Sequence, residues 1–338
     1  MSINENQSLL VYNTFHIDVA ARYFTEVTTV DDLFQLQGTA IFKQNQRLIL
    51  GGGSNLLFTK DYNGLVIQNR ISGKELIAED QDFYFVKAGA GENWHQFVLW
   101  SIANNYAGLE NLSLIPGCVG ASPMQNIGAY GIEIKEVFHE LEAIHLETKE
   151  KVKFSNADCC FGYRESVFKN KYKNQFVITS VTYKLKKKPV FNTTYGAIEK
   201  ELELMGIKEL SSKAISDAII RIRSSKLPDP KQIGNAGSFF KNPEVSSVRH
   251  LELKQQFPDV VAYPLENGNV KLAAGWLIEQ CGWKGKRFGA AGVHVNQALV
   301  LVNYANAKGH EIYELSQNIL DSVTNKFGVL LEREVNII

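Results

Sequence analysis

Arg47-Leu48-Ile49-Leu50-Gly51-Gly52-Gly53-Ser54-Asn55 reads as a short apolar strand running straight into a glycine turn. Residues without a Cβ let backbone N–H groups converge on an anion, so Gly51, Gly52, Gly53, Ser54 and Asn55 form a candidate phosphate cradle. The turn is not the dinucleotide fingerprint: Leu56 stands at the third glycine position, and no amphipathic helix follows to lend its N-terminal dipole. Nor is it a P-loop, since no Gly-Lys-Ser/Thr follows. From these residues alone a plain tight turn remains the alternative. Gly89-Ala90-Gly91 is a weaker candidate and reads as a turn into the next helix.

Outward from this turn the chain alternates strands and helices. Strands are expected at 22–27, 64–68 and 83–88, with a helix at 31–43 opened by two acids that suit its N-terminal dipole. Residues 92–106 carry Trp94, Phe97, Val98 and Ile102 at helical spacing, and Gly108 stands beyond them as a stop. Antiparallel strands are expected at 137–146, 151–154 and 175–185. Ser212 is the expected cap of a helix striped by Ile215, Ile219 and Ile222, and Leu227-Pro228-Asp229-Pro230 then reads as a domain junction. Further helices are expected at 248–257, 271–281 and 306–327. The last of these sets Ile312, Leu315, Ile319, Val323 and Phe327 on one face, ahead of a terminal strand at 329–337. The fold class is α+β with mixed sheets.

Composition excludes several functions. Apolar residues make up 45% and charged residues 21%, an ordinary globular balance. Lys+Arg and Asp+Glu are equal at 36 each, so no net field draws the chain to nucleic acid or an anionic membrane. The basic run Lys184-Leu185-Lys186-Lys187-Lys188 reads as a solvated strand end. The first residues lack the basic and apolar regions of a signal peptide, and no apolar run reaches membrane-spanning length. Four scattered cysteines read as buried free thiols, suiting a reducing, cytoplasmic setting. The seven histidines show no ligand spacing, and no metal site is expected.

Three further segments could carry chemistry. Ile115-Pro116-Gly117-Cys118-Val119-Gly120-Ala121-Ser122-Pro123-Met124-Gln125-Asn126-Ile127-Gly128-Ala129-Tyr130-Gly131 holds small residues among polar ones, which lets backbone lie flat on a large planar or anionic ligand. It belongs to a long irregular stretch, which inside a compact domain is usually functional. Tyr163-Arg164-Glu165-Ser166 sits in a segment that otherwise looks helical and apolar, where a surface Arg-Glu pair is the plain reading. Asn235-Ala236-Gly237-Ser238-Phe239-Phe240-Lys241-Asn242-Pro243 sets one hydroxyl between glycine and two aromatics. It lacks the Gly-x-Ser-x-Gly of a hydrolase elbow and a nearby histidine, so Ser238 is a poor nucleophile and reads as a proton donor or as scaffold. Near the end, alternation in Leu331-Glu332-Arg333-Glu334-Val335 points Glu332 and Glu334 to one strand face.

Together these blocks, in order, resemble the UDP-N-acetylenolpyruvoylglucosamine reductase family along nearly the whole chain. Ala273-Ala274-Gly275-Trp276-Leu277-Ile278 and residues 294–299 add to the match. The resemblance implies a two-lobed FAD-binding fold of the vanillyl-alcohol-oxidase/PCMH type plus a C-terminal α+β substrate-binding domain. Its divisions would be 1–70 for the first FAD lobe, 71–226 for the second lobe with a tyrosine-loop insertion, 227–327 for substrate, and 328–338 for a strand returning to the active site. FAD would be held noncovalently, because Ser54 and not a histidine follows the glycines, and NADPH would be the electron donor. Gly51, Gly52, Gly53, Ser54, Asn55, Ser122, Pro123, Asn126, Gly128 and Arg223 would face FAD.

The family reduces the enolpyruvyl group of UDP-N-acetylglucosamine enolpyruvate in peptidoglycan precursor synthesis. By the same resemblance Arg164 and Glu334 would stabilise charge developing beside the substrate carboxylate, and Ser238 would protonate the resulting carbanion. Tyr130, Lys226, Asn242 and Gln297 would contact substrate, with Lys226 at the diphosphate, and Tyr195 would lie on a loop that closes over it. The protein is expected to act as a monomer with no nucleic-acid or membrane partner. A flavin oxidase of the same wider fold and a non-catalytic sugar-nucleotide sensor are the competing readings. The sensor would have no need of Ser238, Arg164 and Glu334 together.

Overall fold

The computed structural model describes residues 1–338. The chain forms two compact units, each discontinuous in sequence. The first takes Met1–Gln7, Ala21–Gly53 and Tyr62–Ser224; the second takes Ser8–Ala20, Ser54–Asp61 and Ser225–Ile338.

In the first unit one sheet runs in the order Asn4–Ser8, Ala20–Val27, Tyr62–Asn69, Arg47–Leu50. Tyr62–Asn69 pairs in parallel with both Ala20–Val27 and Arg47–Leu50, with Val27 opposite Asn69 and Leu50 opposite Gln68. The central strand is buried along almost its whole length, as parallel strands covered on both faces must be. Leu65 and Ile67 pack with Leu33, Leu36 and Phe42 of the connecting helices. The single helix expected at 31–43 is two, Val30–Gly38 and Ala40–Gln44. Thr39 breaks it: its hydroxyl donates to Leu36 O at 2.7 Å and accepts from Phe42 N at 3.2 Å, closing one helix and capping the next.

The second sheet is antiparallel, in the order Lys151–Ser155, Phe138–His145, Phe176–Lys186, Phe83–Gly89, Lys74–Glu79. The edge strand Lys74–Glu79 is one the sequence reading missed; most of its side chains are exposed, so no hydrophobic period marks it. The sheet packs on the helix Trp94–Ala103 through Trp94, Phe97 and Tyr183. That helix ends earlier than expected, at Asn104 and the left-handed Asn105 (φ 61°), well before Gly108. Helices Gly196–Leu204 and Ser212–Lys226 bury Ile198, Leu202, Ile215, Ile219 and Ile222 together. The cap of the second is Ser211, whose hydroxyl accepts from Ala214 N at 3.1 Å, and Ser212 is already helical.

In the second unit a four-stranded sheet runs Gly234–Ser238, Val300–Asn303, Ala291–Val293, Arg287–Phe288. The helix Gly309–Phe327 buries all five of its expected stripe residues and stops at Gly328 in the left-handed conformation (φ 60°). The helix expected at 271–281 begins later, at Ala274, because Val270–Leu272 is the centre of a small sheet with Glu244–Val245 and Ala262–Pro264. The terminal strand expected at 329–337 shrinks to Asn336–Ile337, parallel to Leu56–Leu57, plus one antiparallel bridge between Phe240 and Arg333.

The α+β class stands. All four cysteines are free thiols, but only Cys159 is buried; Cys160 is exposed, and Cys118 and Cys281 are partly so. No helix is long and apolar enough to cross a membrane.

Candidate active site

In the first unit the strand Arg47–Leu50 delivers the glycine turn against the irregular segment. A Cβ on Gly52 would stand 3.0 Å from Gly117 Cα, so only glycine lets the two backbones meet. Gly53 turns the chain with φ 62°. The backbone N–H groups of Gly52, Gly117 and Cys118 find no acceptor in the chain. Neighbouring unpaired N–H donors at a glycine turn are the donor set that phosphate oxygens require. Ser122 and Asn126 lie in the same segment but turn inward. The Ser122 hydroxyl sits 2.9 Å from the buried Tyr183 hydroxyl, and the Asn126 amide bonds Glu133 at 3.0 Å and Gly162 O at 2.9 Å. Pro123 is buried beside them. These side chains shape the loop from beneath.

Beyond the turn, residues far apart in sequence converge. Arg164 is left-handed (φ 56°) and donates to Gly128 O at 2.8 Å, while Glu165 bonds Asn170 and Lys169. The expected helical setting for Arg164 is absent: the only helix here is Asn156–Cys159, and a turn follows it. Tyr130, also left-handed (φ 51°), hydrogen-bonds Arg223 and packs edge-on against Tyr195, ring centroids 5.4 Å apart. Burial pushes the Tyr130 hydroxyl up, with Arg223 opposing. Asn111, 2% exposed, donates to both Tyr130 O and Asn192 O at 3.0 Å, tying the tyrosine-bearing insertion to Tyr130. Non-glycine residues in left-handed conformation are uncommon and cluster at functional sites. The sequence reading missed Asn111, because a side chain bonding distant backbone leaves no spacing signal.

His95 was missed for the same reason. Its Nδ1 accepts from Leu114 N at 3.0 Å, while Arg223 Nε donates to Leu114 O at 3.2 Å. Leu114, left-handed at φ 58°, is thus held on both sides, immediately ahead of the irregular segment. Burial, reinforced by Arg223, pulls the His95 pKa below its ordinary value. The folded protein therefore keeps His95 neutral where the unfolded chain would protonate. Stability from this group is full above the ordinary histidine pKa of about 6.5 and is lost as pH falls below it. Thermal unfolding between pH 7.5 and 5 should show a shallower decline in His95→Gln than in wild type. Parallel pH slopes would remove His95 from the account.

In the second unit Ser238 ends the strand Gly234–Ser238 opposite Val300, after the left-handed Gly237 (φ 69°). Its hydroxyl has no hydrogen-bond partner within the chain and is partly exposed. The terminal segment runs alongside, with Lys241 N donating to Glu332 O and Glu334 N to Phe239 O, both at 2.8 Å. Asn55 Nδ2 donates to Glu334 O at 3.4 Å, and Asn55 O accepts from Asn336 N at 3.1 Å. Glu332 turns to Lys241 Nζ at 2.6 Å, with its own side chain 69% exposed. Asn242 Oδ1 accepts from Ala274 N at 3.0 Å at the start of the helix Ala274–Gln280, and Gln297 Oε1 faces Gly275 of that helix. Asn296 Nδ2 reaches Ser225 O at 3.4 Å, which brings the Gln297 turn beside Lys226, an exposed ammonium. The Lys226 ammonium and the Asn242 and Gln297 amide nitrogens form no hydrogen bond within the chain, so this unit offers donors to an anionic, hydroxyl-rich ligand.

Residues 229–338 match the family described as UDP-N-acetylenolpyruvoylglucosamine reductase, C-terminal domain, and residues 21–149 match the FAD binding domain family. The chain is 53% identical to the UDP-N-acetylenolpyruvoylglucosamine reductase of Flavobacterium johnsoniae, covering 100% of both chains. It is 50% identical to the protein of the same name from Pseudomonas putida, covering 98% of each. Among solved structures, UDP-N-acetylenolpyruvylglucosamine reductase from Thermus caldophilus matches with a TM-score of 0.69 at 22% identity, over 99% of this chain and 98% of that one; it supports the fold.

Proposed function

The chain belongs to the UDP-N-acetylenolpyruvoylglucosamine reductase family, and from that membership we propose how its two sets of residues divide the reaction. It is an FAD- and NADPH-dependent oxidoreductase that reduces the enolpyruvyl group of UDP-N-acetylglucosamine enolpyruvate, giving UDP-N-acetylmuramate for peptidoglycan. Membership sets aside the oxidase and sensor readings.

The observation that carries the cofactor reading is the glycine turn against Gly117, with unpaired N–H groups on Gly52, Gly117 and Cys118. These groups fit a pyrophosphate, and Arg223 adds a cation nearby in the first unit. The chemistry FAD supplies when bound is hydride relay, from NADPH to the terminal vinyl carbon. Arg164 as a cation, and Glu334 as an acid donating a hydrogen bond, then stabilise the negative charge that develops at the neighbouring carbon and spreads into the carboxylate. Ser238 donates the proton that carbon needs. Lys226 neutralises the diphosphate, Asn242 and Gln297 hold the sugar nucleotide, and Tyr195 closes over it beside Tyr130. The enzyme works as a cytoplasmic monomer.

Purified protein should be yellow and should release unmodified FAD into the supernatant on acid precipitation. Colourless protein that takes up no FAD would sink this reading, and flavin held in the pellet would indicate a covalent link.

A further inference from the structure

Asn111, 2% exposed in the turn Glu110–Leu112, directs its amide at backbone far away in sequence. It donates to Tyr130 O and to Asn192 O, both at 3.0 Å, and a primary amide has two such donors. Asn192 fastens the same place from the other side. Its Nδ2 donates to Gly131 O at 3.4 Å, and its Oδ1 accepts from Thr194 Oγ1 at 2.9 Å. A Cβ on the left-handed Gly131 (φ 81°) would stand 3.3 Å from Asn192 Nδ2, so glycine keeps this approach open. Beyond Asn192 the Tyr195 ring packs edge-on against Tyr130, whose hydroxyl is bonded to Arg223. Residues 191–194 belong to no helix or strand. Side-chain bonds, and no backbone ladder, join this segment to Tyr130 and Gly131, all within the first unit.

We propose that Asn111, together with Asn192, is a positioning residue for substrate binding. Its amide sets Tyr195 against Tyr130, so that the two rings meet the sugar nucleotide as one surface. This rests on the reading of Tyr130 and Tyr195 given above. A left-handed tyrosine is costly and persists only where its surroundings hold it; the bond from Asn111 to Tyr130 O is one such hold. Two converging carbonyls need two donors at fixed spacing, which a short primary amide supplies and a carboxylate or a hydroxyl does not. A purely structural amide would serve the fold in the same way, so the effect on substrate separates the two roles.

The test measures KM for the enolpyruvyl substrate and flavin reduction by NADPH in the holoenzyme. Asn111→Leu keeps the size of the side chain, loses both donors and should raise KM about tenfold, each lost bond being worth roughly two- to tenfold. Its orphaned carbonyls should also lower the melting temperature. Asn192→Ala lies on the more accessible side of the clasp and should melt as wild type, yet raise KM about threefold. Flavin reduction should stay at the wild-type rate in both. In a Tyr195→Ala background Asn192→Ala should add no further rise, because its effect passes through Tyr195. An unchanged KM in either variant overturns the proposal. So does slowed flavin reduction in Asn192→Ala, or a rise that multiplies in full with that of Tyr195→Ala. If Tyr195→Ala itself shows the wild-type KM, the reading of Tyr195 fails and positioning falls with it. If Tyr195→Ala raises KM and Asn192→Ala does not, positioning alone is overturned.

Discussion

Ser238→Ala should bind FAD and accept electrons from NADPH at close to the wild-type rate, while reoxidation by the enolpyruvyl substrate falls about 10²-fold or more. That is the usual contribution of a positioned general acid, and the proton is needed only after hydride has reached the substrate. The geometry makes the experiment clean. Ser238 is held by its strand pairing with Val300, and its hydroxyl bonds nothing else in the chain, so removing the oxygen leaves no partner orphaned. Ser238→Cys keeps a transferable proton and should outperform alanine. A scaffold role predicts that both half-reactions slow together and that thermal stability drops. Rapid-mixing absorbance at the flavin band, recorded for each half-reaction, separates the two. Full-speed reoxidation of the alanine variant would move the donor role to Glu334 or a bound water.

Arg164→Lys should lose about two decades in turnover, matching roughly 3 kcal/mol of lost charge stabilisation. One arm of the guanidinium is committed to Gly128 O. An ammonium on a flexible stem cannot hold that bond and present a second pair of donors to a carboxylate. The left-handed backbone at Arg164 is no harder for lysine, so a large stability loss is not expected. Turnover equal to wild type would reduce Arg164 to a brace for the Gly128 turn.

Helices with a complete apolar stripe were legible from sequence. Residues 309–327 repeat Ile312, Leu315, Ile319, Val323 and Phe327 at helical period, and every one is buried. Where two periods overlap, the reading slipped: Val270-Lys271-Leu272 alternates as a strand, yet the apolar pattern beyond it extended the expected helix backwards. The terminal segment alternates polar and apolar like a strand, but its backbone pairing is split between one bridge at Arg333 and the short strand Asn336–Ile337, so alternation overstated its continuity. The glycine turn was visible because glycine marks its own conformation. The left-handed Leu114, Tyr130 and Arg164 were not, since nothing in a leucine, tyrosine or arginine signals it. Roles for Arg164, Ser238 and Glu334 came from ordered resemblance; composition and spacing alone left each of them ambiguous.

The discontinuity of the second unit governs when it can form during synthesis. Asn55 bonds Glu334 across 279 residues, and Leu56–Leu57 finds its strand partner only in Asn336–Ile337. At ribosomal speeds the early segment waits roughly 15 seconds to a minute for that partner to be made. Closing so long a loop costs about 5 kcal/mol by logarithmic scaling with chain length. Residues 62–224 carry most of the first unit in one uninterrupted run and can organise meanwhile. Leu56, Leu57 and Phe58, buried in the finished protein, stay exposed through that interval. The nascent chain therefore passes through a half-built stage in which these apolar residues, directly after the glycine turn, lack their strand partner.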